Sequence, residues 1–214
     1  MFTRMTHPIR LHRHPVSGHC HRVELLLSML NLPFERVEVD LLRGEHTQAP
    51  FLAKNKLAQV PVIEDGEVVL SDSNAILVYL ALRYDASRQW LPSEPLAAAE
   101  VQRWFSLAAG ELVHGPGLLR LAALFKTPVD RSQAERAAGQ LLALLETTLR
   151  ERAFLLGARP TLADLAQYAY TVLAPEGGVS LESYPALRAW HARVEALPRF
   201  VPMLRSQTAP AVAQ

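Results

Sequence analysis

Thiols are nearly absent from this chain: Cys20 is the one cysteine in 214 residues. That excludes an internal disulfide and any cysteine-built metal cluster. Lysine is almost as scarce, with three against nineteen arginines. The formal net charge is +1, and no basic run occurs. This balance argues against a general polyanion binder, so no nucleic-acid partner is expected. No stretch approaches eighteen uninterrupted apolar residues, and the opening MFTRMTHPIR has no apolar core of signal-peptide length. The expectation is a soluble cytoplasmic protein with no membrane partner.

What is present is ordinary globular composition, half hydrophobic and one fifth charged. The length suits one large domain or two small ones. The most informative stretch runs from Gln59 to Ile76. Val62-Ile63 and Val68-Val69-Leu70 are short aliphatic runs around Glu64-Asp65-Gly66-Glu67, which predicts a hairpin. The short side chains from Ser71 to Asn74 then cap a helix that continues through Ala75-Ile76. Pro61 removes a ladder donor at the entry to the first of these strands. Val60 is therefore free to offer its backbone outward.

Upstream, Ile9 to His12 reads as a strand. Pro15 and Gly18 mark a turn, and a helix begins near Ser17 and ends at Asn31-Leu-Pro. Phe34 to Asp40 alternates as a half-exposed strand, and Ala49 to Lys54 suits a short helix. The order β-α-β-α-β-β-α predicts a mixed four-stranded sheet covered by helices. The texture changes near residue 84, and beyond it no convincing strand appears. Helices are expected over Leu96 to His114, Leu118 to Lys126, Val129 to Arg152, the segment after Thr161, and Tyr184 to Leu197. Thr161-Leu-Ala-Asp164 has the capping-box pattern. The plan is an α/β domain at residues 1–85, a linker at 86–95 and an all-helical domain at 96–214, with a loose tail after Leu204.

Five of the eight histidines fall between His7 and His21. No acid has the spacing to complete a metal site with them, so dispersed histidines and no metal are expected. Ser17 and Cys20 share a helix N-terminus, where amides stabilise a thiolate, either the protein's own or a ligand's. Each also has a plain structural reading: Ser17 as a cap, Cys20 as a small core residue. The ends of these elements suggest a pocket for a small polar thiol or acid between the two domains.

The ordered set Ser17-Gly-His-Cys-His-Arg-Val, Leu32-Pro-Phe34, Gln59-Val-Pro-Val62, Ser71-Asp-Ser-Asn-Ala-Ile76, Thr161-Leu-Ala-Asp164 and Tyr184-Pro-Ala-Leu-Arg-Ala-Trp190 resembles the cytosolic glutathione transferase family along nearly the whole chain. The resemblance implies a thioredoxin-like first domain, glutathione as co-substrate, a small hydrophobic electrophile and a homodimer. It implies a cis bond before Pro61, with the Val60 backbone pairing with the cysteine moiety of glutathione. Asp72 and Ser73 would take the γ-glutamyl end, and Gln59 and Lys56 would neighbour the glycyl end. No tyrosine precedes Tyr79, which excludes the family's tyrosine type. Ser17 matches the serine type, whose hydroxyl donates to the glutathione sulfur. His19, where related bacterial sequences often carry asparagine, would contact the sulfur or line the groove. Cys20 as nucleophile would instead make a thiol reductase or peroxidase, and a non-enzymatic binding protein of the same fold is a further alternative. The electrophile would lie near Glu111, His114, Phe105 or Trp104.

Overall fold

A computed structural model describes residues 7–206. The chain forms two compact units. One comprises the residues up to Ala86 together with Pro198–Val201, and the other holds the remainder.

In the first unit, β1 (Ile9–Arg13), β2 (Phe34–Glu38), β3 (Val62–Asp65) and β4 (Val68–Ser71) form a sheet in the order β2-β1-β3-β4. β1 and β2 are parallel, while β3 is antiparallel to both β1 and β4. A parallel pair needs a crossover, which α1 (Gly18–Met29) supplies. Its Val23, Leu25, Leu26 and Leu27 are fully buried, as are Ile9, Leu11 and Ile63 of the sheet. Removing that much aliphatic surface from water is the main source of this unit's stability. A short α2 (Ala49–Leu52) follows a 3-10 turn at Glu45–Thr47, and α3 (Ser73–Tyr84) packs on α1. Gly66 turns the β3–β4 hairpin at φ +62°, a conformation that glycine adopts without a Cβ penalty. The thioredoxin-like plan is the one observed.

The second unit is helical: α4 (Pro95–Ala109), α5 (Leu118–Phe125), α6 (Arg131–Leu149), α7 (Leu162–Val172) and α8 (Pro185–Glu195). Among its described residues there is no strand, only an isolated bridge between Phe154 and Gly157. α4 stops at Ala109, short of the expected His114, and a wide π turn occupies Val113–Gly117. Pro116 in that turn has no N–H to continue an α ladder. Gly115 lies so close to α6 that a Cβ there would stand 2.6 Å from the Ala138 amide nitrogen. α7 carries the expected capping box. Asp164, fully buried, accepts from the Thr161 and Leu155 amides at 2.8 and 2.9 Å and from the Trp190 indole at 2.9 Å.

One assignment differs in kind. Sequence patterning puts everything after residue 95 in the helical domain, yet Pro198–Val201 returns to the first unit. There His21 Nε2 lies 2.8 Å from the Val201 carbonyl, and Ser28 donates to the Arg199 carbonyl at 2.8 Å. Loose segments without periodicity carry no signal of where they dock. Most of the expected tail, from residue 207 onward, lies outside the described residues. Among those residues no helix is long and apolar enough to cross a membrane.

Candidate glutathione site

Strand register brings the candidate residues to one end of the sheet. Val62 pairs with both His12 and Ser71. Pro61, just before Val62, and Asp72, just after Ser71, therefore leave the sheet at the same end. The 14–17 turn into α1 starts there too.

Ser17 is the N-cap of α1, in extended backbone, and its Oγ accepts from the Cys20 amide at 3.3 Å. The hydroxyl has acceptor capacity to spare and one proton to give. Cys20 is fully buried, and burial pushes its thiol up to about 11. It is therefore a neutral core residue at neutral pH.

The start of α3 is built differently. Asp72 is the N-cap, exposed and at φ +71°, with its carboxylate accepting from the Ala75 amide at 2.9 Å. Ser73, the first helical residue, is buried. Two residues of α1 reach it. His19 Nδ1 lies 3.3 Å from Ser73 Oγ, and Arg22 Nη1 donates to Ser73 Oγ at 3.4 Å and to Asn74 Oδ1 at 2.8 Å. The first turns of α1 and α3 are thus fastened together. Both ends carry partial positive charge from the aligned peptide dipoles, and the Arg22 guanidinium adds a full one. Burial, with Arg22 beside it, lowers His19 to about 3, so its ring is neutral.

The third piece is the loop before β3. The Val60–Pro61 bond is cis. Pro61 is buried, Val60 half-buried, and Lys56 and Gln59 expose their side chains. Asn55, buried beneath the loop, bonds to it with both ends of its amide.

The remaining histidines of the N-terminal cluster scatter. His12 bonds to Glu64, His21 faces the Val201 carbonyl, and burial lowers His14. Among the described residues no group of three or more metal-ligating side chains converges. In the helical unit, Trp104 and Phe105 are buried while Glu111 and His114 are exposed. Sequence reasoning passed over Arg22, Asn55 and Asn74. The available signal for Arg22 was its place one helical turn after His19.

The first unit has a thioredoxin-like sheet with two helix N-termini and an open strand entry at one end, and a helical unit follows it. Comparison with known proteins gives this architecture its family. Residues 11–88 match the glutathione S-transferase N-terminal domain, and residues 122–198 match the C-terminal domain. Glutathione S-transferase theta-2 of Mus musculus is 35% identical over 174 residues, covering 77% of this chain and 71% of that protein. The crystal structure of a glutathione S-transferase from Pseudomonas fluorescens superposes with a TM-score of 0.86 at 34% identity, covering 93% of this chain and all of that one. A glutathione transferase homologue from Drosophila mojavensis, crystallised with bound glutathione, has a TM-score of 0.81 at 25% identity, with 89% of each chain covered. The chain belongs to the glutathione S-transferase family, and so to the enzymes that use glutathione as co-substrate.

Proposed function

We propose that this glutathione transferase is of the serine type, with Ser17 donating its hydroxyl proton to the glutathione sulfur. The observation that carries the reading is the Ser17 cap. Its Oγ accepts from the Cys20 amide and keeps a proton to donate, for which a thiolate is the acceptor that gains most. Stabilising the thiolate lowers the thiol pKa and raises the fraction of nucleophile at neutral pH. The thiolate then attacks a small hydrophobic electrophile in an alkyl or aryl transfer. Its carbon–sulfur bond forms as the leaving group departs with the bonding pair.

Around the sulfur, His19 lines the groove as a neutral ring. The Val60 backbone pairs with the cysteine moiety, and Asp72 faces the γ-glutamyl ammonium. Ser73 and its amide receive the γ-glutamyl carboxylate at the α3 N-terminus, while Gln59 and Lys56 flank the glycyl end. The buried Ser73 hydroxyl, held by Arg22 and His19, supports its part of this assignment. Cys20 is disfavoured as nucleophile, since a buried thiol held near 11 supplies almost no thiolate at neutral pH.

The same reading includes a cytoplasmic location and a homodimer. The exposed Val68, Val69 and Leu82 give the first unit apolar surface that a second copy could cover. The test is a glutathione-soaked crystal structure of the full chain. The sulfur is expected within hydrogen-bond distance of Ser17 Oγ, and a sulfur facing Cys20 Sγ would overturn the assignment.

A further inference from the structure

We infer that Asn55 is a positioning residue for glutathione, acting through the backbone of the loop that carries Gln59 and Val60. The inference rests on the glutathione reading above. Asn55 is 7% exposed, while Lys56, Leu57 and Gln59 around it are exposed. A buried amide must satisfy donors and an acceptor. Asn55 satisfies them on its own loop: Nδ2 donates to the Gln59 carbonyl at 2.8 Å, and Oδ1 accepts from the Leu57 amide at 3.0 Å. The Ala58 amide closes the turn on the Asn55 carbonyl at 3.0 Å.

The loop needs that support. Ala58 sits at φ +53°, a left-handed conformation that brings a Cβ too close to the following carbonyl oxygen. Such a conformation persists where its surroundings over-determine it. The loop's start is also anchored, since Lys54 Nζ lies 3.0 Å from the Glu64 carboxylate on β3.

The geometric consequence falls on Val60. The Gln59 carbonyl and the Val60 N–H belong to one planar peptide unit, and in a trans unit they point in opposite directions. With the carbonyl turned onto Asn55, the Val60 N–H is turned away from the buried amide. That N–H is the donor through which Val60 would pair with the ligand backbone. Asn55 therefore aims a group it does not touch.

The test compares binding and turnover in the full-length protein. Calorimetry with S-methylglutathione, which cannot react, is expected to show Kd raised about tenfold in Asn55→Ala. The KM for glutathione should rise in step, with kcat and the acid limb of the pH profile unchanged. Asn55→Asp keeps the acceptor for Leu57 but sets a carboxylate oxygen against the Gln59 carbonyl. It should weaken binding at least as much, and it carries the test if the alanine variant does not fold. Adding Ala58→Gly to Asn55→Ala should recover part of the affinity, because glycine holds positive φ unaided. Wild-type affinity in Asn55→Asp, or equal falls in kcat and kcat/KM, would overturn the inference. If the wild-type protein itself fails to bind S-methylglutathione, the glutathione reading falls first.

Discussion

His19 and Ser73 stand 54 residues apart in sequence and 3.3 Å apart in space, imidazole Nδ1 to hydroxyl Oγ. The contact joins the first turn of α1 to the first turn of α3. The ring making it is neutral, since burial and the adjacent Arg22 hold it at about 3. A site with an imidazolium would show a titration in the physiological range, and this one should not. NMR of the His19 ring is expected to show no titration between about pH 5 and 8, the range where an unperturbed histidine changes charge. A midpoint near 6.5 would contradict the arrangement.

Removing the Ser17 hydroxyl should act on the sulfur's acidity. A hydrogen bond to a charged group is worth about 1.5–3 kcal/mol, so Ser17→Ala should lower kcat/KM by about 10- to 100-fold. The acid limb of its pH profile should move up by about 1 to 2 units. Ultraviolet difference spectra of the bound thiolate would report the same displacement without turnover. An unmoved limb would remove Ser17 from the sulfur.

Cys20→Ala should leave transfer activity near the wild-type level. Its cost is a small cavity in the α1 core, about 1 kcal/mol of stability by urea unfolding. In the native protein the thiol should resist iodoacetamide at pH 8 and react once the chain is unfolded. Loss of transfer in a stably folded alanine variant would favour the thiol mechanism instead.

Besides His19, two further buried histidines make stability fall on the acid side. Burial lowers His21 to about 4 and His191 to about 3, against 6.5 for a free imidazole. Above pH 6.5 both are neutral whether folded or not, and their contribution is fully present. Below it the unfolded chain takes up protons that the folded one refuses. Stability should therefore drop by about 1.4 kcal/mol per histidine for each pH unit until the folded values are reached. Thermal melts from pH 7 to 5 would show it, and His191→Gln should flatten part of the slope.

Asp164→Ala would leave the Thr161 and Leu155 amides and the Trp190 indole without their buried acceptor. At roughly 1–3 kcal/mol for each orphaned donor, the loss is about 3 kcal/mol or more. Denaturant unfolding followed by tryptophan fluorescence would measure it. A change below about 1 kcal/mol would mean that water replaces the carboxylate.

Local structure is legible in the sequence where one residue type has one physical use. The Asp65-Gly66 turn, the Thr161–Asp164 capping box and the proline ahead of β3 all predicted their own geometry. Interactions spanning many residues were not legible. Nothing in the first helix announces that Arg22 will meet Asn74, because that depends on how α1 and α3 pack. Asn55 looks like any polar loop residue until its burial is known. Gly115 falls between two expected helices, but its near-contact with Ala138 belongs to the tertiary fold.

The return of Pro198–Val201 makes the first unit discontinuous in sequence. A fragment ending at Ala86 would lack the Val201 carbonyl opposite His21 and the Arg199 carbonyl opposite Ser28. Splitting the gene at the obvious boundary would therefore strand part of one unit on the other polypeptide. Ribosomal synthesis sets the same order of events: α1 cannot acquire its last two backbone partners until nearly the whole chain has been made. A chimera that exchanges the helical half of this enzyme with a relative's would exchange that strap as well.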